Sequence, residues 1–194
     1  MRDIHYFSGR LGNEMFRHAY LYAQVKEGHL PDVYLQDPKY FEKYQDEIRS
    51  LFGEGIDSLP YTAIHLRVGA NPTNFEEPKY SDNPFYIDLS KTDYYDRAIK
   101  LFPNDKFLVF SDDMDFAGAY FTGGRFIFDE SKTDLDSFNR MASCQNFIIA
   151  NSSWSWWGAY LSTVFDKKII APSVDKWYTS GQELTKCPPE WIRI

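Results

Sequence analysis

Residues 146–161 read NFIIANSSWSWWGAYL, and the fold of the chain can be predicted outward from this stretch. The apolar run from Phe147 to Ala150 has the length and the β-branched content of a buried parallel strand. A polar turn follows at residues 151–153, and the chain then resumes as a tryptophan-rich helix. Because the first N–H groups of a helix lack backbone partners and carry the positive end of its dipole, this turn is a candidate anion site.

Three serine hydroxyls stand at this turn, those of Ser152, Ser153 and Ser155. In one interpretation they clamp the phosphates of a sugar nucleotide. In the other they only cap the helix, while the tryptophans pack in the core. Helix caps are far commoner than phosphate sites, so the composition of the turn by itself favours capping.

The composition fits one large domain or two small lobes, with 43% hydrophobic residues in a chain of 194 and therefore a sizeable core. A net charge of −7 argues against a broad nucleic-acid-binding face, but it is compatible with a local basic pocket for a diphosphate. Two cysteines, Cys144 and Cys187, are too few for a disulfide scaffold, and we expect both to remain thiols. The N-terminus has no apolar signal stretch, and no run approaches the ~20 apolar residues that span a bilayer. We therefore expect no transmembrane segment and a cytoplasmic protein.

The chain opens with a predicted strand from Ile4 to Phe7, a glycine turn over residues 9–13 and a helix from Glu14 to Glu27. This order again favours phosphate binding at the start of the helix. The turn matches neither the P-loop pattern nor G-x-G-x-x-G, and a tight turn explains its glycines equally well. A second helix is predicted over residues 40–52.

The next predicted strand, residues 61–66, presents His65 and Arg67 at its end. Ligands bind at the carboxyl ends of strands in open parallel sheets, and the planar guanidinium of Arg67 is suited to a phosphate. A surface arginine beside a core histidine explains the pattern equally well. A long loop over residues 69–90 follows, of the kind that forms a functional lid or is disordered. It contains four candidate acids: Glu76, Glu77, Asp82 and Asp88.

A further strand, residues 106–110, ends in Ser111, Asp112 and Asp113. Paired carboxylates at a strand end suggest metal or ribose binding. Equally, Asp113 is placed to cap a helix over residues 114–120.

The rest of the chain alternates strands and helices. A strand over residues 125–128 ends at Asp129, Thr133 begins a capping box for a helix through Ala142, and a last strand covers residues 168–171. This alternation predicts an α/β fold with a mostly parallel, doubly wound sheet.

Four segments also resemble, in order, the motifs of a known family. Residues 9–16, GRLGNEMF, resemble G-x-L-G-N-Q-M-F; residues 65–70, HLRVGA, resemble H-x-R-R-x-D; residues 110–113, FSDD, resemble a second motif; and residues 149–159, IANSSWSWWGA, resemble I-A-N-S-S-F-S-W-W-x-A. Residues 189–192 resemble the family's C-terminal end. The family is that of the α1,2-fucosyltransferases of glycosyltransferase family 11, and this chain resembles a shortened member.

The resemblance implies a GT-B-like fold with a reduced N-terminal lobe, residues 1–60, and a Rossmann-like nucleotide-sugar-binding domain, residues 61–194. It implies an inverting transferase that moves a deoxyhexose, usually L-fucose, from a GDP-sugar to a glycan hydroxyl without a metal or other cofactor. GDP-rhamnose is the next donor, and a relative that binds nucleotide or glycan without transfer is the alternative function. A metal-dependent transferase using Asp112 and Asp113 is a third.

The resemblance also implies roles for individual residues. Arg67 would bind the β-phosphate and offset charge on the departing GDP, His65 would help to set that geometry, and Asp129 would lie near the guanine. The remaining donor-side residues would approach the diphosphate or sugar, order the donor-side loops or clamp the pyrophosphate: Gly12, Asn13, Ser111, Asp112, Asp113, Ser152, Ser153 and Ser155.

The chain departs from the family's motifs at Val68 and Ala70, which replace an Arg and an Asp. Glu14 replaces the usual Gln, and Trp154 the usual Phe. An inverting displacement needs a general base on the acceptor hydroxyl, and we predict that Glu76 or Glu77 supplies it. The shortened N-terminal lobe implies that the acceptor site is open, different, or completed by another chain, either a second copy or a partner domain.

Overall fold

The computed structural model describes residues 11–27, 37–52, 58–69, 86–181 and 185–194. Within these residues, six strands form a single parallel sheet in the order β3-β2-β1-β4-β5-β6. The strands are β1 (Leu59–Leu66), β2 (Phe107–Ser111), β3 (Phe126–Phe128), β4 (Cys144–Ile148), β5 (Ile169–Ala171) and β6 (Ile192–Arg193).

Six α-helices are described with this sheet: α1 (Leu11–Glu27), α2 (Gln45–Phe52), α3 (Tyr94–Lys100), α4 (Met114–Tyr120), α5 (Asp134–Ala142) and α6 (Ser153–Leu161). Short 3₁₀ helices cover Pro38–Tyr40, Glu42–Tyr44, Leu89–Lys91 and Val174–Lys176. None of the helices in the described part of the chain combines the length and apolar character that a membrane crossing requires.

The strand order reverses between β1 and β4. From β1 the sheet grows through β2 to β3, and from β4 it grows the other way through β5 to β6. Ile64 of β1 is in register with Val109 of β2 on one side and Ile148 of β4 on the other. This order is that of a Rossmann-like fold, so the predicted α/β class with a doubly wound parallel sheet is confirmed.

Both faces of the sheet are buried, because successive side chains of a strand point to opposite sides. Ile64, Val109 and Ile148 pack with residues of α3 and α4 on one face. On the other face, Ala63 and Phe147 join a cluster that includes residues of α1, α5 and α6.

The N-terminal helix packs directly on this second face. Phe16 of α1 packs against two tryptophans of α6, with its ring centroid 4.5 Å from that of Trp156 and 4.7 Å from that of Trp157. Phe41 and Ile48 are buried in the same cluster. The described part of residues 1–60 thus shares a core with the sheet, and its division from residues 61–194 as a separate lobe stays a prediction.

Several predicted boundaries differ from the structure. Helix α1 begins at Leu11, so Gly12 and Asn13 lie in its first turn and not in a preceding loop. The strand predicted at residues 147–150 lies at Cys144–Ile148, and the helix predicted over residues 40–52 is two 3₁₀ turns followed by α2. The two-residue strand β6 was not predicted. The strand predicted at residues 4–7 lies outside the described residues, as does most of the loop at 69–90.

Candidate functional site

The candidate site lies at the carboxyl edge of the sheet, where the chain leaves β1 and β4 in opposite directions. Helix α6 begins there with Ser152 as its extended N-cap residue, whose carbonyl accepts the first intrahelical bond from the Trp156 N–H, at 3.0 Å. The amides of residues 153–155 precede that bond, and the Ser152 side chain makes no capping hydrogen bond. The start of α6 therefore presents amide donors and a positive dipole end at the switch point of the sheet.

The serines of this turn have different surroundings. The Ser153 hydroxyl donates to Asn13 Oδ1, at 2.7 Å. Ser155 is buried, and its hydroxyl accepts from the Ala150 N–H and donates to the Ser152 carbonyl, both at 3.2 Å. Ser155 thus braces the turn and Ser153 reaches α1, while Ser152 is the N-cap residue; a phosphate contact of these serines stays a prediction. A direct contact of Ser155 with a ligand would require its hydroxyl to leave both bonds.

The N-terminus of α1 meets the N-terminus of α6. A Cβ atom at Gly12 would lie 2.5 Å from the Ser153 carbonyl carbon and 2.6 Å from the Trp154 nitrogen, so only glycine allows this approach. The hydrogen bond between Asn13 and Ser153 joins the same two turns. Two positive dipole ends repel each other, and an anion bound beside them offsets that repulsion.

Asn151 holds the turn in place. Its amide nitrogen donates to the carbonyls of Ile87, at 2.7 Å, and Trp177, at 3.0 Å, and the residue is buried. Sequence reasoning assigned Asn151 no role of its own. A polar amide directly after a buried apolar strand was the available signal, because such a group must find backbone partners in the fold.

Arg67, directly after β1, forms an ion pair with Asp112 directly after β2. The other carboxylate oxygen of Asp112 accepts from the backbone N–H groups of Val68 and Gly69, each at 3.0 Å. A Cβ at Gly69 would lie 2.6 Å from the Asp112 carbonyl oxygen, so the two loops are in close contact. Asp112 thereby fixes both the guanidinium and the backbone that follows it.

The polar residues next to Asp112, and those at the start of α5, form local hydrogen bonds that stabilise helix ends and turns. Asp113 is the N-cap of α4, where its carboxylate accepts from the Phe116 N–H at 3.0 Å, in line with the capping alternative; its contact with the donor stays a prediction. The Ser111 hydroxyl accepts from the Asp113 N–H, at 3.1 Å. At the start of α5, Thr133 is the N-cap: its hydroxyl accepts from the Asp136 N–H at 3.1 Å and donates to the Asp136 carboxylate at 2.7 Å.

His65 is the penultimate residue of β1 and is only 5% exposed. Burial lowers the pKa of its imidazole from 6.5 to about 4, against a smaller opposite effect of the Asp112 carboxylate. Its ring centroid lies 4.9 Å from the ring of Trp154. Its carbonyl accepts from the Tyr95 hydroxyl, at 2.8 Å, and among the described residues its Nδ1 has no partner. His65 is therefore a neutral core imidazole next to the start of α6.

Asp129 follows β3, at the edge of the sheet, and is 8% exposed. Its Oδ1 accepts from the Ser131 hydroxyl, at 2.8 Å, and from Arg140 Nη1 of α5, at 3.0 Å. With strands about 4.8 Å apart, β3 lies roughly 10 Å from β1. Asp129 is thus on the same edge of the sheet as Arg67 but not in contact with it.

The structure therefore brings five of the predicted donor-side residues into contact, in two groups. One group joins the starts of α1 and α6 through Gly12, Asn13 and Ser153, and the other joins Arg67 to Asp112. Glu76 and Glu77, the predicted bases, lie outside the described residues. No group of three or more metal-binding side chains occurs among the residues that are described, and independence from metal stays a prediction.

Comparison with known proteins shows to which family the chain belongs. The model of glycosyl transferase family 11 matches residues 29–194, most of the chain. The chain belongs to this family. The recognition of this family from the sequence is therefore confirmed.

Two curated relatives from Escherichia coli are similar to this family 11 chain. It is 28% identical to the O-antigen biosynthesis glycosyltransferase WbnK over 196 residues, which cover 88% of this chain and 62% of that protein. It is 29% identical to an alpha-1,2-colitosyltransferase over 183 residues, covering 82% of this chain and 60% of the relative. The chain thus spans about three fifths of the length of these relatives. No solved structure matches it significantly.

Proposed function

We propose that this protein is an inverting glycosyltransferase that moves a deoxyhexose from a GDP-sugar to a glycan hydroxyl. One observation supports this function above the others: the N-termini of α1 and α6 meet at the switch point of the sheet, on the edge that holds Arg67. Backbone amides and dipole ends gathered at this place favour a diphosphate.

The chemistry of the leaving group fits such a site. As the glycosidic bond breaks, negative charge accumulates on the β-phosphate of GDP. Amides of α6 and the guanidinium of Arg67 would stabilise that charge without a metal or another cofactor. In this proposal Asp112 orients Arg67, while Asn151 and Ser155 hold the turn. The Ser152 hydroxyl and the backbone N–H of Ser153 are then left to contact phosphate.

We propose that Asp129 binds the guanine base of the donor. The hydrogen bonds that its carboxylate accepts from described residues both end on Oδ1, so Oδ2 can accept from the N–H groups of guanine. Burial beside Arg140 keeps this carboxylate fixed, which favours a specific contact over a loose one.

The sugar is proposed to be L-fucose, with colitose and rhamnose as the other deoxyhexoses to test. The family implies fucose, while one relative is named a colitosyltransferase. Because the segment between the first helix and residues 39–52 is short for the family, we propose that a second copy or a partner domain completes the acceptor site.

The general base is proposed to be Glu76 or Glu77, since Ala70 stands where the family motif has an acid. Separate Glu76→Gln and Glu77→Gln variants should lower turnover by about 10²-fold in one case. Near-normal rates for both variants would refute the assignment of the base but would leave the proposed donor site unaffected.

The experiment that tests the function is GDP release from a panel of GDP-sugars, with and without glycan acceptors. Arg67→Ala should lower kcat/KM by about 10²-fold, because it removes a charge that stabilises the leaving group. The matched control is Arg97→Ala, an exposed arginine of α3, which should retain the wild-type rate.

The alternative function, a relative that binds without transfer, rests on Val68 and Ala70. GDP binding with no release from any donor would favour it, and recovery of transfer in Ala70→Asp would show that only the base is missing. Absence of GDP binding would contradict the proposed function itself.

A further inference from the structure

Trp154, the second residue of α6, lies between the two parts of the proposed nucleotide site. Its ring contacts His65 of β1, Phe110 of β2 and Phe138 of α5, with centroids 4.9, 6.1 and 5.7 Å away. Its indole therefore extends from the start of α6 across the carboxyl ends of β1 and β2, toward the helix that contacts Asp129.

The ring of Trp154 differs from those of the neighbouring tryptophans in its burial and in the rings that it contacts. Trp156 and Trp157 are fully buried, and Trp156 is stacked on Tyr160 with an interplanar angle of 17°. Trp154 is only partly buried, and its described ring contacts are tilted or T-shaped, at 43°, 51° and 79°. No described aromatic ring lies parallel to it.

The geometry of the sheet brings a nucleoside to this indole. The proposed pyrophosphate contacts follow β4, and the proposed guanine contact follows β3, three strand spacings or about 14 Å away. A ligand that joins them must pass the carboxyl ends of β1 and β2, where Trp154 lies.

We propose that Trp154 is the residue on which the guanine nucleoside of the donor stacks; this inference rests on the proposed function. Stacking on an indole gives affinity for any base, since every base has a π-face, so Trp154 supplies affinity while Asp129 supplies the choice of guanine. The Phe of the family motif offers a smaller ring at this position.

The test compares the binding of GDP and of inorganic pyrophosphate by calorimetry in the wild-type chain, Trp154→Phe and Trp154→Ala. Trp154→Ala should weaken GDP binding by about tenfold or more, because one stacked base is lost, and should leave pyrophosphate binding intact. Trp154→Phe should retain most of the GDP affinity, since it keeps an aromatic ring.

Tryptophan fluorescence gives a second readout that holds if Trp154→Ala folds poorly. GDP should quench emission of the wild-type chain, and the quench should be lost in Trp154→Phe. The matched control is Trp191→Phe, a buried tryptophan just before β6 at the opposite edge of the sheet, which should keep the quench.

Two results would overturn the stacking role while leaving the proposed function intact. One is equal weakening of GDP and pyrophosphate in Trp154→Ala, which would indicate only a distorted turn. The other is GDP binding with the quench retained in Trp154→Phe. A wild-type chain that binds no nucleoside diphosphate would instead refute the proposed function, and this inference with it.

Discussion

At the scale of single residues, Asp112 and Asp113 are adjacent carboxylates with different partners. Asp112 contacts Arg67 and the backbone after β1, whereas Asp113 caps α4. Neighbouring residues just after a strand point in different directions, so one carboxylate faces the next loop of the sheet edge and the other its own helix. We therefore expect Asp112 to matter for the candidate site and Asp113 to matter for the stability of α4.

Asp112→Ala and Asp113→Ala are matched variants for this difference. Asp112→Ala removes a partner of a charged group, worth about 2 kcal/mol, so kcat/KM for the donor should fall roughly 30-fold. Asp113→Ala removes an N-cap and should lower the free energy of unfolding by about 1 kcal/mol, with a much smaller kinetic effect. Steady-state kinetics and urea denaturation measure the two effects, and equal kinetic losses would contradict the assignment.

His65 gives a prediction about pH. Its pKa is lowered to about 4 in the folded chain by burial, so below pH 6.5 the unfolded chain binds a proton that the folded chain does not. The free energy of unfolding therefore loses nothing to His65 above pH 6.5. It falls as the pH drops toward 4, by about 2 kcal/mol between pH 7.5 and 5.

Urea denaturation at these two pH values measures the fall. His65→Gln should remove most of it. His18→Gln, which replaces an exposed histidine of α1, should behave like the wild-type chain. A fall of the same size in His65→Gln would mean that other groups cause the acid sensitivity.

At the scale of elements, the contact of α1 with α6 depends on Gly12. Any side chain there meets backbone atoms of Ser153 and Trp154, which cannot rotate away. The helices would have to separate, and the buried packing of Phe16 against Trp156 and Trp157 would loosen with them.

Gly12→Ala should lower the free energy of unfolding by about 1–3 kcal/mol through this overpacking, and it should weaken GDP binding. Gly118→Ala is the matched control, because it also adds a methyl group within a helix but meets nothing within 4 Å. It should instead stabilise the chain by about 0.5–1 kcal/mol. Calorimetry and urea denaturation of both variants decide the point; a stable Gly12→Ala with normal GDP affinity would contradict the close approach.

The same elements show what a sequence can predict. Strands β1 to β5 are mostly apolar runs between turns, so their existence and their parallel direction follow from the pattern. The start of α1 was missed because glycine suggests a turn, whereas here the neighbouring helix requires it. Strand β6 has two residues, too few for any periodicity, and it forms only because β5 offers an open edge.

At the scale of the whole molecule, the sheet edge at which the site lies could be predicted, because polar residues follow β1, β2, β3 and β4 in turn. The contacts between residues of the site could not be predicted. The pairing of Arg67 with Asp112 and the burial of Ser155 depend on how loops distant in sequence meet. Motif spacing along the chain does not encode those distances.

The proposed nucleotide joins elements from both halves of the sheet, so it should stabilise the chain as a unit. GDP at about 100 times its Kd should raise the free energy of unfolding by about 2.7 kcal/mol. Asp129→Asn replaces a carboxylate acceptor for guanine with an amide, and it should reduce that increment to below about 1 kcal/mol. Because Asp129 also contacts Arg140, the variant's own stability differs, and only the increment is compared.

Asp166→Asn is the control for this comparison, since it makes the same chemical change at an exposed residue before β5. The φ of Asp166 is 58°, a conformation that asparagine adopts readily, so the fold should tolerate the change. Its GDP increment should equal that of the wild-type chain. Inorganic pyrophosphate should stabilise Asp129→Asn as well as it stabilises the wild-type chain, because the phosphate contacts lie on α6. An undiminished GDP increment in Asp129→Asn would place the guanine elsewhere on the sheet edge, while the phosphate contacts would still be tested by Arg67→Ala.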